Sequence, residues 1–160
     1  MRCNQSYLDG TSAVSELHVE RYKFILQQLH SLNENVYKIL GIYQSLSTVL
    51  AGAGVALFVG YRKWELSPEL ARSGMIGIAT LLTIAASFTI LLIVVGMVSW
   101  FDYRNEEYHF LTEVCGLAFR SKPSLRNIFR WYEPHVIGFI IISTLALWML
   151  VVLLMLPVMK

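Results

Sequence analysis

The stretch MIGIATLLTIAASFTILLIVVGMVSW, residues 75–100, contains no Lys, Arg, Asp, Glu or Pro. As a helix it would run roughly 39 Å at ~1.5 Å per residue, enough to cross the ~30 Å hydrocarbon core of a bilayer. It lies within a charge-free run of 29 residues (73–101), and two further runs flank it: 39–61, of 23 residues, and 134–159, of 26. Nearly half of the 160 residues thus carry no formal charge, although the chain has 13 basic and 11 acidic side chains. A soluble domain of this size could not bury three such helices. The expected fold is therefore an all-α integral membrane protein with three transmembrane helices and long cytoplasmic helical extensions.

Working outward, the spans are placed at 42–61, 75–100 and 136–156. They leave an N-terminal amphipathic helix (1–41), an external loop (62–74), a helical extension with an interfacial turn (101–135) and a short external tail (157–160). What lies outside the spans is too scattered for an ordinary soluble catalytic domain. The net charge of +2 gives no basic face of the kind that reads nucleic acid, so no nucleic-acid partner is expected. Cys3 and Cys115 fit no zinc or CxxC spacing and read as free thiols. The polar segment Met1–Gly10 lacks an apolar core, so no cleaved signal peptide is expected and the spans themselves direct insertion.

Orientation follows from Lys and Arg beside the spans. Nine lie in the N-terminal segment and the loop between spans two and three, against four in the loop between spans one and two and the tail. The N-terminus is accordingly expected in the cytoplasm and the C-terminus outside. Arg62 and Lys63 run against this pattern.

Before the first span, Tyr22, Ile25, Leu26, Leu29, Leu32, Val36, Leu40 and Tyr43 recur every three or four residues, with Glu20, Lys23, Gln27, Ser31, Glu34 and Lys38 opposite. One helix from about Val14 to Tyr61 is expected. Ser67-Pro68-Glu69 begins the next, with Ser as cap and Pro in the first turn. That helix continues past Trp100, placing Tyr108, Leu111 and Cys115 on one face, until Gly116 and Ser121-Lys122-Pro123 stop it. The two apolar stripes should pair, within or between subunits. From Arg120 to Arg130 there are four basic residues (Arg120, Lys122, Arg126, Arg130) and no acid, followed by Trp131 and Tyr132. This belt suits the inner headgroup layer and anionic lipid.

Span one is the least apolar. Thr48, Gly52, Ala56 and Gly60 form an i,i+4 ladder of small residues suited to close helix packing. Gln44, Ser47, Thr48 and Ala51 form an overlapping polar strip, expected to face protein or to line a water-filled path in an oligomer. Thr80, Thr83, Ser87, Thr89, Ser143 and Thr144 are hydroxyls that would bond back to their own helices. No ionisable residue sits inside a span, which argues against a proton relay, voltage sensor or ion-coupled transporter. Glu106, His109 and Glu113 share a helical face, but the second Glu-x-x-His and further carboxylates of a di-iron site are missing. His18, His30 and His135 stand alone, and no phosphate loop, nucleophile elbow or zinc spacing occurs. No catalytic residue, metal or cofactor is expected, so an enzyme is not the reading; one acting on lipid would need a polar cleft near Glu106 and His109.

The segment YKFILQQLHSLNENVYK (22–38), WFDYRNEEY (100–108) and RWYEP (130–134) together resemble the RipA-type family of small bacterial membrane proteins. The resemblance covers most of the chain and implies a homo-oligomer of the cytoplasmic membrane, octameric in that family, without catalytic residues. Three helices cannot enclose an aqueous channel alone, so a conducting function requires a ring of subunits. The leading expectation is a homo-oligomeric pore or membrane-perturbing effector of the bacterial inner membrane, serving stress or antiviral defence. The alternative is a non-conducting scaffold that organises lipid or docks a cytoplasmic protein partner.

Overall fold

The computed structural model describes residues 5–115, 122–124 and 131–158, with side chains placed from Glu16 to Glu113 and in the two later segments. The described residues are almost entirely helical: α1 (Gln5–Gly60), α2 (Pro68–Cys115), α3 (Glu133–Leu150), a π-helical turn (Val151–Met155) and α4 (Leu156–Val158). Three of these stretches, Glu16–Gly60, Pro68–Glu113 and Glu133–Val158, are long and apolar enough to cross a membrane. α1 starts nine residues before the expected Val14, because no Pro or Gly pair interrupts the N-terminal segment.

The chain divides into two compact units, one formed by residues 1–35 and 96–125, the other by 36–95 and 126–160. In the first unit, Ile25, Leu29, Phe110 and Leu111 are buried. Phe110 organises this core. Tyr22 stacks on its ring at 6.4 Å, His18 lies at 5.7 Å, and the Arg21 guanidinium sits 5.5 Å from its centroid. Arg21 also reaches from α1 to the Glu106 carboxylate of α2 at 3.0 Å. Both groups are half exposed, so the pair sets register rather than adding much stability. Glu107 is buried and paired with Arg104 one turn earlier. Among the expected stripe residues, Leu26 points outward with 42% of its surface exposed.

In the second unit, α1 buries Val36 and Gly54, and Tyr61 just beyond its end is also buried, with Leu40, Tyr43, Ser47, Leu50 and Leu57 partly covered between them. These positions alternate four and three residues apart, the spacing that keeps one helix seam against a neighbour. α2 answers with Ala71, Met75, Ala79, Leu82, Ala86, Thr89 and Ile93, all buried. Tyr61, Ala71, Met75 and Val151 form a cluster at one end, packed by Leu57, Phe58, Leu66, Met155 and Leu156.

The turn between α1 and α2 is a Schellman-type cap. The Leu66 N–H donates to the Tyr61 carbonyl at 3.0 Å and the Glu65 N–H to Arg62 at 3.3 Å. Glu65 takes the left-handed conformation (φ 53°) that this cap requires. α2 then begins at Pro68, where the Ser67 hydroxyl accepts the Leu70 N–H at 3.3 Å.

Among the described residues, a side-chain hydrogen bond joins α2 to α3: Trp148 Nε1–H donates to Thr83 Oγ1 at 2.9 Å. Apolar surroundings favour such a bond, yet interhelical bonds of this kind contribute only about 0.6 kcal/mol on average. A double-mutant cycle of Trp148→Phe with Thr83→Val, read by unfolding in mixed micelles, is expected to give a coupling of about 0.5–1.5 kcal/mol. Fully additive single variants would show that the bond adds nothing.

Candidate functional site

Polar groups of α1 and α3 in the second unit converge on one place. A groove of about 620 Å³ is lined by Tyr43, Gln44, Ser47, Thr48 and Ala51 of α1, by Leu82 of α2 and by Phe139, Ile140, Ser143, Thr144 and Leu147 of α3. All four residues expected to line a path, Gln44, Ser47, Thr48 and Ala51, therefore share one wall. The opposite wall supplies Ser143 and Thr144.

Most of these hydroxyls are already engaged. Thr48 donates to the Gln44 carbonyl at 2.8 Å, Thr144 to Ile140 at 2.8 Å and Ser143 to the same carbonyl at 3.0 Å. Ser47 differs: its Oγ is buried and has no hydrogen-bond partner among the described residues. An unsatisfied buried hydroxyl costs about 1–3 kcal/mol, so it marks a place where a further group would be stabilising. Gln44 is exposed and brings an amide with two donors and an acceptor.

Below this groove lies an apolar pocket of about 200 Å³, bounded by Leu50, Gly54, Val55, Met75, Ile78, Ala79, Val151 and Met155. Ala51, Leu82 and Leu147 border both spaces. The π-helical turn of residues 151–155 forms part of the pocket wall. Such turns displace side chains from the regular helical positions and recur at functional sites.

The small-residue ladder takes a different course. Thr48, Gly52 and Ala56 are exposed and Gly60 is partly covered. A side chain at Gly52 would meet nothing within 4 Å, whereas one at Gly54 would touch Met75 and Ile78 of α2 at 3.8 Å. Within the chain, Gly54 is thus where α1 meets α2, and the ladder faces outward. At Gly60 an added Cβ would lie 2.8 Å from the Trp64 ring.

Of the residues assigned to the lipid interface, Arg120, Arg126 and Arg130 lie outside the described residues. Lys122 is exposed and Trp131 partly covered. Tyr132 stacks on Tyr37 of α1 at 6.0 Å, joining the start of α3 to α1. Desolvation, with Glu133 and Tyr37 adding, pushes the Tyr132 hydroxyl up to about 12, so it stays protonated at neutral pH. His135 Nδ1 sits 2.9 Å from the Trp131 carbonyl. Glu106, His109 and Glu113 all lie on an exposed face, with Glu106 engaged by Arg21. Among the described residues, no three His, Cys, Asp or Glu are grouped to hold a metal.

Tyr43 belongs to the stripe expected on α1, and Ser143 and Thr144 bond back to their own helix as expected; their place beside Gln44 and Ser47 was not anticipated. Counted from the starts of their spans, Ser143 and Ser47 lie at similar depth, which is the signal that pairs them. No family model, curated protein or solved structure matches this chain.

Proposed function

We propose that this chain is a homo-oligomeric protein of the bacterial inner membrane that forms a pore or perturbs the bilayer, with α1 lining the path. Its N-terminus is cytoplasmic and its C-terminus external, as the distribution of Lys and Arg favours. Membership of the RipA-type family and a role in stress or antiviral defence belong to the same proposal. The observation that carries it is the gathering of Gln44, Ser47 and Thr48 with Ser143 and Thr144 in one groove of otherwise apolar helices. Polar groups at membrane depth are costly unless they meet protein, water or polar ligand atoms. The exposed face of Thr48, Gly52 and Ala56 offers the close approach that a second copy needs. Potassium release from proteoliposomes tests the reading. Intact oligomers should release the ion; tight vesicles at the same protein content reject it.

A second reading is a non-conducting scaffold that organises lipid or docks a cytoplasmic protein. Leu17 and Phe24, seven residues apart on α1 in the first unit, are 69% and 53% exposed and would suit a docked partner. On this reading, substitutions at Arg126 and Arg130 impair function more than changes at Gln44.

A further inference from the structure

We infer that the groove and the pocket beneath it together hold one membrane phospholipid per chain, with an acyl chain in the pocket and the ester region at Gln44 and Ser47. Three observations point to this occupant. The first is polarity. The upper space carries an amide and hydroxyls, the lower space only hydrocarbon, and Ala51, Leu82 and Leu147 border both. A ligand that follows them must be polar at one end and apolar at the other. A soluble metabolite or ion would leave the lower space without a match, and an alkane would leave the upper one.

The second observation is length. From Gln44 to Val55 the floor of the site spans 12 residues of α1, about 16 Å from first to last at ~1.5 Å per residue. One leaflet contributes about half of a ~30 Å hydrocarbon core, so the site matches a single leaflet's acyl chain. The third is the buried Ser47 Oγ, which has no partner among the described residues. Turned into the groove by a change of rotamer, its O–H can donate to an ester carbonyl, as can the Gln44 amide, and neither needs a charged group to do so.

A lipid seated here fills the space that the pore reading assigns to the path. It is therefore a resting-state plug, displaced when the path opens. That role rests on the proposed function, whereas the binding itself does not.

The test is lipid retention. Wild-type oligomer, extracted in mild detergent and washed extensively, is analysed by quantitative lipid mass spectrometry, then reconstituted for potassium flux. About one phospholipid per chain is the expected result. Ser47→Ala should retain three- to ten-fold less after the same wash, with unchanged helicity. Ala51→Phe, which fills the junction of the two spaces, should abolish retention. Circular dichroism and sizing show whether that variant still folds, and Ser47→Ala decides the matter if it does not. Equal lipid content in wild type and both folded variants overturns the inference. So does a loss of oligomer in Ala51→Phe with no change in lipid, which would make a second copy the occupant. Retained lipid without flux in any protein would instead overturn the pore reading and leave the lipid site standing.

Discussion

Replacing Gln44 with Leu is expected to lower potassium flux through the reconstituted protein at least ten-fold while leaving the oligomer assembled. A ten-fold loss corresponds to about 1.4 kcal/mol on the barrier, roughly what one lost polar contact at a constriction would cause. The reason lies in the inventory of the groove. The Thr48, Ser143 and Thr144 hydroxyls donate to carbonyls of their own helices, so they offer lone pairs but no free hydrogen. Gln44 is exposed at the groove and keeps a full amide. Leu at this position would turn the upper wall apolar, and narrow apolar constrictions exclude water. Gln44→Asn, shorter by one methylene, should keep most of the flux. Equal flux in the Leu variant would remove Gln44 from the path.

A second large effect is expected at Ile25. This side chain is 1% exposed in the core of the first unit, beside the Phe110 cluster. Truncating a buried Ile to Ala costs about 2–5 kcal/mol, and Ile25→Asp adds the cost of an unpaired charge. The contacts of this unit include Phe110 with Tyr22, His18 and Arg21, and Arg21 with Glu106. Helices without packing are marginal in water, so the expected result is local loss of structure. Amide exchange over residues 16–35 and 100–113 should rise by orders of magnitude, while 71–95 stay protected. Ile25→Val, at about 0.5–1.5 kcal/mol, should leave both regions protected. Unchanged exchange in the Asp variant would contradict the packing described for this unit.

How far the sequence could be read depended on the kind of information each feature required. The three apolar helices were legible because the absence of charge over 23, 29 and 26 residues is a local property. The inward face of α1 was nearly as clear, since alternating steps of three and four mark a seam; Leu26 misled because it adjoins Ile25, only about 100° round the helix. The small-residue ladder shows the limit. A strict four-residue repeat drifts by about 40° per step, so Thr48, Gly52 and Ala56 cannot follow a seam whose mean step is nearer 3.5. Gly54, which the seam does include, stood between larger residues and gave no such signal. The polar strip of α1 was visible, but its facing partners Ser143 and Thr144 lie almost a hundred residues away, and only the packing of α3 brings them opposite. The π-helical turn at 151–155 has no pattern of its own in VVLLM, and so the pocket it borders could not be anticipated.

The central claim is that copies of this chain assemble into a path through the membrane along α1, and its most direct test is the conductance of the purified wild-type oligomer in planar lipid bilayers. Discrete, reproducible current steps, much reduced in Gln44→Leu, are the predicted result. Bilayers that stay silent while the incorporated oligomer is shown to be intact would contradict the claim.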